Sequence, residues 1–488
     1  MSLSEKIASG FRADLLTRIV QVLAGGLLTV ALARLLGADA YGLLFFAISF
    51  FSMVTLLGNL GTARSAARYI SEYEQTDTSQ IRHILRYAAF INAVTIGIVS
   101  IVLVVFRSEI AVLLDEPGLE PFLVLGVAYV VSAGILGFSR RTLQGFRRIE
   151  HSALTTGLDG IARPVLAIGA VLLGFNAIGA FVGYILSAML AGIVGVILLV
   201  RSAGRYELAT SVDPGLGRRI LEYSLPLSLT TSSDVLIKHV DTVLIGALLT
   251  PFAVSQYVVG KQIIHFAQKP AESLGFTVAP RFSEQCAKGN REKASELYAT
   301  SLRNVFLLYI PAALGLIAVA GPLVVTVFGA EYAGGEIVVQ LLAIYLVAQT
   351  VTFVTSSGLD YLGKAKLRAI VKGGVALVNF GLNLLLIPRY GVAGAAVATA
   401  GSYSVYAALN VFLMNRELSI PWQRVAFNVA HITAVSGAMF VVIFPLSRQI
   451  SGLVSLISVV ALGVGIWGGL CLLTGLVEPD NLRTAVGR

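Results

Sequence analysis

Asp234, Lys238 and Asp241 recur at i, i+4 and i+7 inside an apolar stretch, so they share one narrow stripe of a 3.6-residue helix. Further on, Lys261, His265, Gln268 and Glu272 form a similar stripe, with Lys269 one step round from it. Near the N-terminus Asp14, Arg18 and Gln21 repeat the first spacing. Asp159 and Arg163 stand one turn apart beside Pro164, and Lys372, Asn379 and Asn383 share a face. An ionisable group facing lipid costs several kcal/mol, so these side chains are expected to face protein or a water-filled cavity. Mixed charges in such a place suit the binding of a polar cargo.

Local neutralisation competes with cargo binding. Asp234 with Lys238, Asp159 with Arg163, and Lys269 with Glu272 are spaced to pair within one helix, which leaves both roles open for each. Lys261 has no acid three or four positions away and is read as facing a lumen. Lys372 lies nearer a segment end and can snorkel to the membrane surface. His265 reads as a hydrogen-bonded bundle residue before a proton relay, and the isolated His431 and Asn92 as packing residues. The candidate cargo-binding residues are Lys261, Lys238, Arg18, Arg163, Lys269, His265, Asp234 and Asp241. No catalytic group, metal set or cofactor site is expected.

The elements that must carry these residues follow from composition. The 488 residues are 56% hydrophobic and 13% charged, with mean hydropathy +0.83, against about 25% charged in soluble domains. Apolar runs recur at 15–36, 41–61, 84–106, 120–138, 153–173, 177–200, 221–249, 253–280, 297–320, 335–358, 367–388, 391–413, 424–446 and 451–477. Each can cross a hydrocarbon layer about 30 Å thick. Run length without alternation predicts helices and excludes a barrel. The first run is too long for a signal-peptide core and lacks a small-residue cleavage site, so it is expected to be retained. Cys286 and Cys471 lack metal-type spacing.

The net charge of +9 is spread through short connections, which argues against a nucleic-acid partner and for topology signals. With both termini cytoplasmic, 27 of the 36 Lys and Arg fall on the cytoplasmic side; the outer connections hold only Arg34, Arg107, Arg389 and Arg448. A wrong segment count would blur that split. The chain also repeats itself. ALARLLGADAYGLLFFA at 31–47 and LIGALLTPFAVSQYVVG at 244–260 share a helix, turn, helix form at an offset of 213 residues, and NAIGAFVGYILS at 176–187 answers GVAGAAVATAGS at 391–402. Two six-helix lobes (1–200 and 220–414), a linker (201–219) and an appended pair of helices (415–488) are expected. At this offset the charged stripe of 234–241 lies seven residues beyond that of 14–21, a depth difference of about 10 Å. Prolines 164, 226, 270, 280 and 311 interrupt the runs, Pro270 being the expected hinge. Gly179 and Gly183 form a GxxxG match.

ALARLLGADAYGLLFFA followed by LGNLGTARSAARYISEY at 57–73, YSLPLSLTTSSDVLIKHVDTVLIG at 223–246 and IPAALGLIAVAGPLVVTVFGAEYAGGEIVVQLLA at 310–343 resemble the polysaccharide and oligosaccharide-lipid flippases (Wzx type). These belong to the multidrug/oligosaccharidyl-lipid/polysaccharide exporter superfamily. The resemblance implies an all-α membrane protein of about fourteen helices, its two pseudo-symmetric lobes enclosing a central lumen. It implies alternating access in the cell membrane, with a polyprenyl-phosphate-linked saccharide as cargo, its tail in the membrane lipid, for surface polysaccharide or glycoprotein synthesis. A coupling ion, H+ or Na+, is a further partner the superfamily allows.

Two other functions compete. A cation-coupled multidrug exporter of the same superfamily should favour acidic lumen groups, whereas the deep acids Asp159, Asp234, Asp241 and Glu272 are outnumbered by Arg163, Lys238, Lys261, Lys269 and Lys372. The slight basic excess favours a phosphate-bearing cargo. A membrane glycan polymerase, ligase or glycosyltransferase would need an extramembrane loop with catalytic groups, yet the longest outer connection is only RSEIAVLLDEPGL at 107–119. The charge sorting has a direct test. Cysteines introduced at Ser79, Gly289 and Arg488 are expected to be shielded from an impermeant outside reagent, and one at Gly334 to react. Outside labelling at Gly289 would overturn the fourteen-segment topology.

Overall fold

Inside a hydrocarbon layer each backbone amide must find its partner within the protein, and the long apolar runs meet that demand by coiling into helices. A computed structural model of the protein describes residues 22–271, 284–285 and 288–476, without the side chains of 225–227 and 229–234; all the regular structure among these residues is helical. In chain order the helices are α1 (Val22–Leu36), α2 (Ala38–Asn59), α3 (Thr62–Thr76), α4 (Ile81–Val105), α5 (Arg107–Leu113), α6 (Glu120–Gly145), α7 (Ile149–Leu172) and α8 (Asn176–Ala203). There follow α9 (Leu216–Leu248), α10 (Pro251–Ala267), α11 (Arg291–Val327), α12 (Gly335–Tyr361), α13 (Ala365–Leu418), α14 (Trp422–Ser447) and α15 (Leu453–Leu473).

Ten of these are long and apolar enough to cross a membrane, and the chain is a multi-pass membrane protein. Within the described residues, each of the fourteen apolar runs lies predominantly in helix. Two runs share α13, whose 54 residues bend at Gly391, where φ of +58° takes the backbone out of helical geometry. Glycine populates that region without the Cβ penalty. α9 and α10 are not among the ten; α9 carries the stripe of Asp234, Lys238 and Asp241, and α10 is only 17 residues long.

The chain divides into two compact units, Met1–Ser255 and Gln256–Arg488. In the first, α8 packs against both α6 and α7. Small residues allow the approach: a Cβ at Gly183 would lie 2.5 Å from the Ala167 backbone, and one at Gly195 would strike Ser139 and Thr155. The GxxxG pair thus lies in a helix contact, with Gly179 against Ala170 of α7 as well. In the second unit α12 packs on α13 and α11, and α14 on α11 and α15. Gly260 of α10 abuts Val338 of α12.

α3 is amphipathic and buries Ala63, Ala66, Ile70 and Tyr73 in a core shared with α4, α6 and the start of α9, including Ile84, Phe138, Leu216 and Ile220. The connection leading into α9 is clasped to it. Tyr73 donates to Asp213, which also receives Arg219 Nη2 at 2.5 Å. Gln80 donates to the Ser211 carbonyl and accepts from the Asp213 amide, and Ser65 donates to the Ile220 carbonyl. The Tyr73 and Arg219 hydrogen bonds hold the Asp213 carboxyl below the ordinary carboxylate range, so its part of the clasp is complete at neutral pH and is lost only as pH falls through that lowered value. Nearby, burial and then the Glu74 carboxylate push the Tyr206 phenol up to about 12.

The packing of α8 is open to a simple check. Gly183→Val forces a branched side chain into the α7 backbone and is expected to cost about 1–3 kcal/mol, read as a lower melting temperature in detergent. Gly437→Ala on α14, where a Cβ meets nothing within 4 Å, should leave it unmoved. Equal melting of the two variants would show that the close α7–α8 contact is not used.

Candidate functional site

The close approach of α6, α7 and α8 brings charged and aromatic side chains together within the first unit. Asp159 of α7 is buried and forms an ion pair with Arg163, one turn on. Its second carboxylate oxygen accepts from Ser187 Oγ of α8 at 3.0 Å. Arg163 lies over the Tyr184 ring, with its guanidinium carbon 5.1 Å from the ring centroid. Tyr129 of α6 stacks on Phe181 at 5.3 Å and exchanges a hydrogen bond with Ser52 of α2 at 3.2 Å, closing the apolar side of the cluster. Pro164 is buried inside α7 beside this pair and does not end the helix.

The Arg163 side chain remains 35% exposed, so a guanidinium with five N–H donors spends only part of its capacity on Asp159. Two more arginines approach along α6. Arg140 lies within electrostatic reach of both Asp159 and Arg163, and Arg141 within reach of Arg140 and of Arg64 on α3. Both are partly exposed, and among the described residues neither has a carboxylate at ion-pairing distance. Arg163 and Arg140 therefore flank the buried Asp159 carboxylate, and Arg141 and Arg64 extend the row of guanidiniums from Arg140. Such a set attracts phosphate or carboxylate oxygens through planar, forked donors and repels organic cations.

Arg163 thus lies where its spacing with Asp159 predicted, and with the local partner that spacing allowed. Arg64, Arg140 and Arg141 went unrecognised as site residues because they count as topology charges just beyond the runs ending at 61 and 138. α6 runs on to Gly145, and the Arg-Arg doublet inside an otherwise apolar helix was the available signal. On α9, Lys238 is exposed and Asp241 is buried. Arg18, Glu272 and the Asp234 side chain fall outside the described residues.

Lys261, His265 and Lys269 belong to the second unit. The Lys261 ammonium sits 5.3 Å from the centroid of the buried Tyr257 ring, one turn before it, and His265 Nδ1 shares a hydrogen bond of 2.9 Å with Gln268. Asn379 and Asn383 are linked at 3.1 Å, and Asn379 donates to Ser402 at 3.0 Å, a polar seam between the two halves of α13. Asn92 donates to Asn59 and Thr62 and so packs α4 against the α2–α3 turn. No group of three or more metal-ligating side chains occurs among the described residues.

The family described as polysaccharide biosynthesis protein matches residues 9–285, more than half of the chain. The chain belongs to that family. The MatE family also matches, over residues 226–385. Among curated relatives, the probable low-salt glycan biosynthesis flippase Agl15 of Haloferax volcanii is 24% identical over 445 residues, covering 91% of this chain and 89% of its own. The lipid II flippase MurJ of Bacillus subtilis is 20% identical, with 90% and 88% covered. Among solved structures, the lipid II flippase MurJ in an inward closed conformation has a TM-score of 0.76 at 14% identity, covering 99% of this chain and 100% of its own. An inward-facing multidrug resistance MATE family transporter has a TM-score of 0.65 at 17% identity, with 84% and 95% covered. These likenesses show an all-α membrane transporter fold.

The buried pair predicts a non-additive response. Asp159→Ala strands a guanidinium in the membrane and should cost on the order of 1–3 kcal/mol, less than a fully buried pair because Arg163 is partly open. Asp159→Ala/Arg163→Met removes both charges and should recover most of the melting temperature in detergent. A double variant no more stable than the single one would mean that the pair does not hold α7 in place.

Proposed function

We propose that the protein flips a polyprenyl-phosphate-linked saccharide across the cell membrane by alternating access, with both termini cytoplasmic, in the synthesis of a surface polysaccharide or glycoprotein glycan. The observation that carries this reading is the row of guanidiniums in which Arg163 and Arg140 flank Asp159 and Arg141 stands within electrostatic reach of Arg140. A lipid phosphate needs a cationic partner wherever it leaves the headgroup layer, and guanidiniums supply it with fixed geometry. Membership of the polysaccharide biosynthesis family, and the names of relatives that span nearly the whole chain, support the same cargo class. On this reading the saccharide passes through a lumen while the tail stays in lipid. Lys261 touches the phosphate later in the path, and its cation–π contact with Tyr257 holds it ready. A proton or Na+ gradient is the natural energy source.

A second reading, a cation-coupled multidrug exporter, draws on the MatE match at 226–385 and the MATE-like fold. The basic excess of the site disfavours it. Deletion of the gene in its host should leave lipid-linked saccharide on the cytoplasmic leaflet. Complementation should fail with Arg141→Ala, fall sharply with Lys261→Ala and be retained better by Lys261→Arg, each variant reaching wild-type abundance in the membrane. Normal glycan export in the deletion strain, with no second copy present, sinks the flippase reading. Accumulation of an organic dye cation there instead would favour the exporter.

A further inference from the structure

The second unit holds a groove of about 810 Å³ between α11, α12, the latter half of α13 and α14. Its walls are apolar, formed among others by Phe306, Leu314, Val347 and Phe412. The Ser404 hydroxyl that borders it is turned away to the Ala400 carbonyl at 2.7 Å. On α11 the lining runs from Phe306 to Ile317 and on α13 from Ser404 to Asn415, about 16 Å of helix in each case. That is half of a hydrocarbon core about 30 Å thick, or one leaflet.

The two ends differ. At the end of α13 the groove meets Asn415, whose side-chain oxygen accepts from the Trp422 indole at 3.0 Å and from the Ile420 amide at 2.9 Å. Indole rings of this kind mark the membrane interface, and the charge sorting assigns this connection to the cytoplasmic side. Arg416 follows, exposed and one turn beyond Phe412, and Arg303 lies one turn before Phe306. Arg303 spends one nitrogen on the Leu476 carbonyl. The nearest acid in sequence, Glu417, is held by Lys364 at 2.9 Å, so it does not cancel Arg416.

We propose that this groove binds one hydrocarbon chain of an anionic phospholipid of the cytoplasmic leaflet, with the headgroup phosphate at Arg416 and Arg303. A dry slot one leaflet deep, with indole and guanidinium at one mouth only, matches a bilayer lipid in both length and polarity. It has no polar wall for a saccharide. The chain's own C-terminal residues, VEPDNLRTAVGR at 477–488, are too polar to fill it. The bound lipid cements α11, α12, α13 and α14 along a seam where protein contacts alone leave a gap.

The test uses the full chain, stripped of lipid in detergent and titrated with phosphatidylglycerol or phosphatidylcholine, read by native mass spectrometry and thermal melting. One phosphatidylglycerol should be retained on the order of tenfold more tightly than phosphatidylcholine, with a rise in melting temperature. Ala408→Phe, which fills the open wall, should abolish retention while melting like the wild type in lipid-free detergent. Arg416→Glu, at an exposed position, should keep a chain but lose the preference for phosphatidylglycerol. Retention unchanged in Ala408→Phe, or equal affinity for the two lipids in the wild type, would overturn the proposal. So would retention of polyprenyl phosphate alone, or cross-linking of residues 477–488 into the groove. None of these readouts depends on transport.

Discussion

A charge in hydrocarbon is tolerated only where the protein supplies what water would have given. Asp159, Arg163 and Ser187 satisfy that condition across α7 and α8, and much of the first unit is arranged so that they can meet. Glycine at 183 and 195 brings α8 close enough for its serine to reach the carboxylate. The Tyr129–Phe181 stack packs α6 against α8 beside them. Remove the small residues of α8 and the pair loses its third partner. Remove the pair and the small residues no longer have a polar contact to bring together.

The fourteen segments were legible because apolar length is a one-dimensional signal and the bilayer reads it the same way. Within the described residues each run lies predominantly in helix, and the charge sorting depends on no knowledge of packing. Where segments end was less legible. The run containing Arg140 stops at 138 by hydropathy, but the helix continues to Gly145, because helix geometry is set by backbone hydrogen bonds that arginine does not interrupt. α13 shows the opposite case, two runs that share one helical element through a single glycine at positive φ.

The candidate site was half legible for a related reason. Spacing within one helix finds partners such as Asp159 and Arg163, but Ser187, Tyr129 and Tyr184 come from other helices and carry no such mark. Arginines near the end of a span can also serve two ends at once. Arg140 and Arg141 count toward the charge sorting, and in the folded protein Arg140 also stands within electrostatic reach of Arg163 and Arg141 within reach of Arg140. Counting them for the first role hid the second.

The clasp between α3 and the entry to α9 sets a schedule for biosynthesis. Tyr73 and Asp213 are 140 residues apart in sequence. At a synthesis rate of 5–20 residues per second, about 7–28 s pass between the emergence of one and the other. Throughout that interval α3 has left the ribosome with Ala66, Ile70 and Tyr73 deprived of Leu216 and Ile220, the last partners to join their core. A half-made chain therefore displays a greasy amphipathic helix at the membrane surface until α4 to α8 are inserted. The translation machinery or a chaperone that meets this chain has that window in which to act, and a pause in elongation before codon 213 would lengthen it.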